Sequence, residues 1–332
     1  MITNPLGFDA RTHQSGRTRH GWSKALQLSP DLYPGVGGKR FRAALLQWAF
    51  HHAGGTGTAP AAVIDAVEML HAGSLVIDDF EDDSLTRRGQ PALHRVIGPA
   101  RAVNAGNWMY FRALELAAAA YDHPGRSVTL LARFIEVGRQ CHEGQAIDLS
   151  TRVDEVTPRQ AHATAVAISR WKTGRLVSLA AWCGAHAAAG DPQVLRAVAA
   201  FGCRVGICLQ MKNDLDELTA LVKGGDRCDD LKNRRVTWPW AWAASELPHH
   251  RFVAWQRRLR QSPQNLPAFR QLAKDLLEVS HDLAVVEIAT RLDRAIDRLI
   301  AATEGVSGID RLCEVLHPLR VATEPTATEM TP

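Results

Sequence analysis

Five carboxylates fall within six residues of 74-SLVIDDFEDDSLTRRGQP-91, namely Asp78, Asp79, Glu81, Asp82 and Asp83, and Arg87 and Arg88 follow closely. Adjacent carboxylates repel one another and resist burial together, so such a cluster beside an apolar run takes up a cation or keeps its protons. Two readings fit: a solvated helix end, or a site for a divalent cation. The i, i+4 spacing of Asp78 and Asp82 lets two carboxylates reach one ion. A comparable row, Gln210, Asn213, Asp214 and Glu217, recurs about 130 residues later. Oxygen ligands suit Mg²⁺, which keeps several waters and bridges carboxylates to phosphates.

Cations stand near these acids. The stretch 37-GGKRFR-42 brings Lys39, Arg40 and Arg42 to a glycine turn. Alone it reads as a solvated basic turn. Beside the acids, it points to two diphosphate sites, one held through Mg²⁺ and one held directly by Lys and Arg.

Helices must carry these side chains. Helical periodicity runs from about residue 38 to about residue 320, broken by short turns such as 54-GGTGTAP-60 and 189-AGDPQ-193. In 61-AAVIDAVEMLHAGSLVIDD-79, Val63, Val67, Leu70 and Ser74 share one stripe, while His71, Leu75, Asp78 and Asp82 share another. Ala-rich segments such as 178-SLAAWCGAHAAAG-190 add helix propensity. No repeat or Pro- or Ser-rich linker divides the chain. The expectation is an all-α, single-domain fold over 25–320, with an N-terminal extension over 1–24 and a disordered tail over 321–332.

The chain has 332 residues and a formal charge of +4, with cations scattered rather than gathered into a stripe, which excludes an obvious nucleic-acid surface. The six cysteines show no CxxC spacing, so neither a zinc knuckle nor a disulfide framework is expected, and a reducing cytoplasm is the default compartment. The N-terminus lacks a signal-like apolar core, and no run reaches about 18 apolar residues.

In their order, these segments resemble the trans-isoprenyl diphosphate synthases. Asp78, Asp79 and Asp82 match a DDxxD motif, Lys39 and Arg42 match GKxxR, and 68-EMLH-71 supplies a histidine. Further matches are 144-GQAIDL-149, 172-KTG-174 and 210-QMKNDLDE-217. The flavour is closest to fungal and animal geranylgeranyl diphosphate synthases, through 74-SLVIDDFEDDSLTRRG-89 and 107-NWMYFR-112.

The resemblance implies a bundle of long helices around a deep apolar cavity, the two acidic rows facing each other at its mouth, and a homodimer. It implies Mg²⁺ held by Asp78, Asp82, Asn213, Asp214 and Glu217, with Asp79 completing the first motif. An allylic prenyl diphosphate would be ionised there with help from Arg87, Lys172, Arg235, Thr173 and Gln210. Isopentenyl diphosphate would sit against Lys39, Arg42, His71 and Arg88. Small Gly73 and Ser74 leave room below Asp78, and Tyr110, Phe111 and His142 would form the cavity floor.

The second half departs from the family. Asn213 and Glu217 replace the outer acids of its second DDxxD, and in 230-DLKNRR-235 Arg234 and Arg235 stand for glycine and lysine. Three readings follow: a geranylgeranyl or farnesyl diphosphate synthase; a prenyltransferase acting on another phosphorylated acceptor such as indole-3-glycerol phosphate; or a non-catalytic subunit of a synthase. A terpene cyclase is disfavoured, because its NDxxSxxxE triad would need Ser or Thr at 217 and Glu at 221, where Glu217 and Leu221 stand.

Overall fold

A computed structural model describes residues 40–226, 228–261, 265–303, 305 and 308–320. Lys39, the N-terminal extension and the tail lie outside the described residues. The helices are α1 (Phe41–His52), α2 (Ala61–Glu81), α3 (Leu93–Ile97), α4 (Pro99–Ala118), α5 (Pro124–Ser150), α6 (Pro158–Ile168), α7 (Arg175–Ala187), α8 (Pro192–Val222), α9 (Asp229–Lys232), α10 (Trp238–Glu246), α11 (His249–Gln261), α12 (Leu266–Thr303) and α13 (Ile309–Leu316). The all-α expectation holds.

Local chemistry explains the starts. Proline opens α4, α5, α6 and α8, where its missing N–H costs nothing. Thr157 and Gln160 form a reciprocal cap on α6, and Asp191 caps α8 by accepting the Gln193 N–H at 2.6 Å. In α2 the buried side is Val63, Ala66, Val67, Leu70, Gly73 and Val76, a stripe packed mainly on α4.

Three apolar clusters build the core, the smallest of them joining α2, α3 and α4 through Val76, Ile97 and Met109. The other two are larger. One joins α8, α10 and α12 through Phe201, Met211, Trp238, Trp240, Leu276 and Ile288; the other joins α2, α5 and α7 through Val67, Phe134 and Leu179. Among the described residues α8 is long and apolar enough to cross a membrane. Here its apolar surface is spent on α7 and α12.

Two features were not visible in the periodicity. Residues Ser169–Gly174 form a π-helical turn between α6 and α7, a geometry that recurs at functional sites. This turn is wedged between glycines: a Cβ at Gly144 would stand 2.5 Å from the Lys172 backbone nitrogen, and one at Gly206 would stand 2.7 Å from Gly174 Cα. The second feature is a two-stranded ribbon, β1 (Thr86–Arg87) against β2 (Gln90–Pro91), turned by Arg88 at φ 53° and Gly89 at φ 78°. Both turn residues are left-handed, as a tight primed hairpin requires.

At the end of α7, His186 stacks on Trp182 with ring centroids 4.5 Å apart, while Nδ1 lies 3.2 Å from the Tyr121 hydroxyl. Arg126 donates to the His186 carbonyl at 2.6 Å. Burial, with Arg126 nearby, pushes the imidazole down to about 4. The unfolded chain therefore takes up this proton first, and stability falls as pH drops from about 6.5 towards 4. His186→Phe keeps the stack and removes the proton, so its urea midpoint should fall less between pH 7 and pH 4.5 than that of the wild type. Parallel falls would show that His186 is not the group responsible.

Candidate active site

The first acidic row ends α2 and divides by direction. Asp78, Glu81 and Asp82 line a cavity of about 1100 Å³, whereas Asp79 is 4% exposed and outside it. Asp79 accepts from Arg87 Nε at 2.8 Å, so it fixes the β1 ribbon to α2. Asp78 Oδ1 accepts from Lys172 Nζ at 2.8 Å and Gln145 Nε2 at 3.0 Å, and Arg87 Nη2 lies 3.7 Å from Asp78 Oδ2. Burial would raise the Asp78 carboxyl, but Lys172 and Arg87 outweigh it and hold the group below its usual range. Asp82 goes the other way: burial and the Asp78 charge push it up to about 6 despite its ion pair with Arg235.

Lys172 is held by both sides of the site, because Nζ also donates to Asp148 Oδ2 of α5 at 2.8 Å. The π turn that carries it also carries Thr173, whose hydroxyl donates to Gln210 Oε1 on α8 at 2.5 Å. Gln210 Nε2 then donates to Asp214 Oδ1 at 2.6 Å, and Asp214 Oδ2 accepts the Trp238 N–H at 2.9 Å. Burial still pushes Asp214 up to about 7. Asn213 is exposed at the cavity rim, and Glu217 accepts the Asp230 N–H at 3.1 Å.

The turn at 229–235 stitches the two rows together. Arg235, 7% exposed, bonds Asp82 through Nη2 and the Asp148 carbonyl through Nη1 at 2.8 Å. Asn233 donates to the Asp82 carbonyl at 3.0 Å, and Ser84 donates to Asp229 at 2.7 Å. Asp230 points into the same group, and its carboxyl is pushed well above the usual range by burial and by Glu217, Asp214, Asp148 and Asp82. Arg234 occupies the position where the resembling family has glycine, and its φ is 57°. The backbone there keeps a conformation suited to glycine, and Arg234 is held by an ion pair with Asp154 at 2.8 Å.

On the opposite wall, Arg42 Nη1 meets His71 Nε2 at 2.9 Å, and Arg40 and Arg88 also line the cavity. Burial lowers Arg42 to about 10, so it remains a cation and the donor. His71 is pushed well below its usual value by burial and by Arg42, Arg88 and Arg87, which keeps it neutral with Nε2 accepting. Two carboxylate rows, their cations and a separate basic wall therefore open on one cavity.

Comparison with known proteins decides what such a chain is: the model of the family described as polyprenyl synthetase matches residues 24–276. The chain belongs to the polyprenyl synthetase family. It is a trans-prenyltransferase, an enzyme that lengthens prenyl chains. It is 31% identical over 245 residues to geranylgeranyl pyrophosphate synthase 2 of Zymoseptoria tritici, covering 73% of this chain and 70% of the relative. In fold it matches a geranylgeranyl pyrophosphate synthase of Lactobacillus brevis at 20% identity and TM-score 0.73, covering 93% and 92% of the two chains. A polyprenyl synthase of Caulobacter crescentus, solved with calcium and isoprenyl diphosphate, matches at 23% identity and TM-score 0.72, covering 92% and 93%.

In this polyprenyl synthetase the cavity continues below the acids along α2, α4 and α5. Tyr110 and His142 meet edge to face with ring centroids 5.3 Å apart, and both line the cavity. Phe111 does not join them. It follows Tyr110 by 100° around α4 and stands 72% exposed, so of the three residues expected at the floor it is the one that does not line the cavity. Gly73 also differs from expectation. It is buried outside the cavity, where a Cβ would come within 3.0 Å of the Gly106 carbonyl, so its small size serves the α2–α4 contact; Ser74 does line the cavity.

Asp148, Asp230 and Gln145 join the site without having been assigned roles from sequence. Their signal was present in 144-GQAIDL-149 and 230-DLKNRR-235, where Gln145 and Asp148 share one helical face.

Proposed function

We propose that this polyprenyl synthetase joins an allylic prenyl diphosphate head to tail with isopentenyl diphosphate, as a farnesyl or geranylgeranyl diphosphate synthase does. The observation that carries this reading is the Lys172 bridge between Asp78 and Asp148, set across one cavity from the Arg42–His71 pair. One wall is built for a diphosphate that leaves, the other for a diphosphate that stays.

Mg²⁺ fits the first wall. Asp82, Asp214 and Asp230 are all pushed upward by burial and mutual repulsion, as expected of carboxylates gathered for a cation. Oxygen ligands of this kind suit Mg²⁺, whose shell is completed by substrate phosphate and water. Asp78, Asp82, Asn213, Asp214 and Glu217 would hold it, with Asp230 beside them. When bound, it would supply positive charge to a departing diphosphate.

The chain's own groups do the rest. Lys172, Arg87 and Arg235 place fixed positive charge beside the leaving group, and Asp79 aims Arg87. Thr173 and Gln210, bonded to each other at the cavity wall, would offer dipoles near the allylic cation. Arg42, Arg88, neutral His71 and Lys39 would orient the acceptor diphosphate, with Lys39 outside the described residues. Leu70, Ala72, Leu75 and Ile77 of α2, with Leu176 and Leu209, line the cavity and would help exclude water from the allylic cation.

A cytoplasmic homodimer fits this reading. The described cysteines are all free, and α4 and α5, which pack together, leave Phe111, Val128 and Ile135 exposed.

Purified protein with Mg²⁺ should lengthen geranyl or farnesyl diphosphate when given isopentenyl diphosphate, read by chromatography of the dephosphorylated products. Prenyl transfer to indole-3-glycerol phosphate in place of elongation would replace the acceptor. Absence of turnover with both acceptors would leave a non-catalytic subunit.

A further inference from the structure

The turn at 229–235 is gripped from two sides. Its inner contacts run to the first acidic row: Asn233 donates to the Asp82 carbonyl at 3.0 Å, Lys232 Nζ donates to Asp83 at 3.0 Å, and Arg235 pairs with the Asp82 carboxylate. Asp82 is a proposed ligand of the cation, so this inner grip leans on a group with another use. The outer grip is independent of it. There a 3₁₀ turn, Val153–Glu155, holds Arg234 twice: the Val153 N–H donates to the Arg234 carbonyl at 2.8 Å, and Arg234 Nη1 donates to Asp154 Oδ2 at 2.8 Å. Helix α11 backs that turn. Gln256 Nε2 donates to the Val153 and Val156 carbonyls at 2.6 and 2.7 Å, and Arg260 donates to Asp154 Oδ2 and to its carbonyl at 3.1 and 2.9 Å.

Two observations separate this grip from ordinary surface pairing. The Asp154 side chain is 2% exposed and its Oδ1 meets no donor among the described residues, so the two guanidinium groups on Oδ2 offset the burial of the charge. Arg234 sits at φ 57°, a left-handed backbone that costs any residue carrying a Cβ. Something must hold it there, and among the described residues the side-chain bond of Arg234 is the one to Asp154. The next residue is Arg235, whose buried guanidinium reaches Asp82 and the Asp148 carbonyl, so the backbone at Arg234 sets where that cation points. Val153, Asp154, Gln256 and Arg260 do not line the cavity. We infer that Asp154 is a positioning residue of this enzyme: through Arg234 it keeps the left-handed turn that aims Arg235 at the diphosphate, whether or not Asp82 is engaged elsewhere. The inference rests on the charge role proposed for Arg235 but not on the identity of the acceptor.

The test measures binding and local opening rather than turnover. Wild type, Asp154→Asn, Arg234→Gly, their double variant and Arg235→Met are titrated calorimetrically with inorganic diphosphate in Mg²⁺, and hydrogen exchange over 229–235 is followed by mass spectrometry without metal. Asparagine keeps the shape of Asp154, and both arginines left behind are partly exposed and can be hydrated, so Asp154→Asn should fold. It should weaken diphosphate about tenfold, as loss of one charge-assisted hydrogen bond would. It should also speed exchange of the Lys232, Asn233, Arg234 and Arg235 amides, which bond to carbonyls of residues 228–231. Glycine adopts φ 57° without strain, so in the Arg234→Gly background Asp154→Asn should change the affinity by less than about twofold. Equal losses in both backgrounds would overturn the inference, because Asp154 would then be acting on the fold at large and not through Arg234. Unchanged affinity and exchange in Asp154→Asn would overturn it as well. If Arg235→Met binds diphosphate as the wild type does while exchange in Asp154→Asn is faster, the charge role proposed for Arg235 is the part that fails, and the positioning role falls with it.

Discussion

Asp78→Ala is expected to lower turnover by about three orders of magnitude while the protein stays folded. Asp78 is the carboxylate on which the site's cations converge: Lys172 and Gln145 bond it, and Arg87 stands 3.7 Å away. Its contribution to stability is offset by where it sits. Asp78, Asp79 and Glu81 crowd the C-terminal turn of α2, where the helix dipole disfavours negative charge and no basic residue of the helix compensates. Alanine also favours helix more than aspartate does. Removing Asp78 should therefore move the melting free energy by no more than about 1 kcal/mol in either direction. Turnover with farnesyl and isopentenyl diphosphates, a Mg²⁺ titration in the presence of inorganic diphosphate, and a thermal melt separate these effects. Turnover within tenfold of wild type would remove Asp78 from the proposed metal role.

The first acidic row stands out in the sequence for the same physical reason. Charge gathered at the wrong end of an apolar helix contradicts local preference, and such contradictions mark sites. The helices were legible for the complementary reason. Val63, Val67 and Leu70 repeat on one side of α2, and Pro and Asp or Thr stand at helix starts.

What periodicity does not encode is direction at single positions. Phe111 and Tyr110 are neighbours in sequence, yet one turns outward and the other lines the cavity, because α4 exposes one edge and buries the other. Gly73 appeared to be cavity space and is helix contact. The π turn at Ser169–Gly174 adds a residue to a helical repeat and so looks like ordinary helix in a hydrophobic pattern. Asp148 and Asp230 join the acids through contacts between segments 82 residues apart in the chain, which no local spacing reveals.

Lys172→Met should damage both the fold and the chemistry, and the two losses can be separated. The Nζ bridges Asp78 of α2 and Asp148 of α5, each at 2.8 Å, with side chains only 10–24% exposed. Methionine fills the stem but leaves two partly buried carboxylates without their shared cation. Fully buried pairs lose about 3–5 kcal/mol when one partner is removed and exposed pairs lose little, so on the order of 2 kcal/mol is expected here. Because Lys172 holds the Asp78 carboxyl below its usual range, this stabilisation is present above the ordinary carboxylate pKa and is lost as pH falls through the folded value. The stability gap between wild type and variant should then close below about pH 4. Turnover should fall about 10²- to 10³-fold if Lys172 is the cation that meets the departing diphosphate, as proposed. Adding Asp78→Asn to Lys172→Met removes one stranded charge and should restore part of the stability without restoring turnover. A Lys172→Met protein as stable as the wild type at pH 7 would mean that the bridge is not holding α2 to α5, and a double variant that regained turnover would mean that Lys172 acts only by offsetting Asp78.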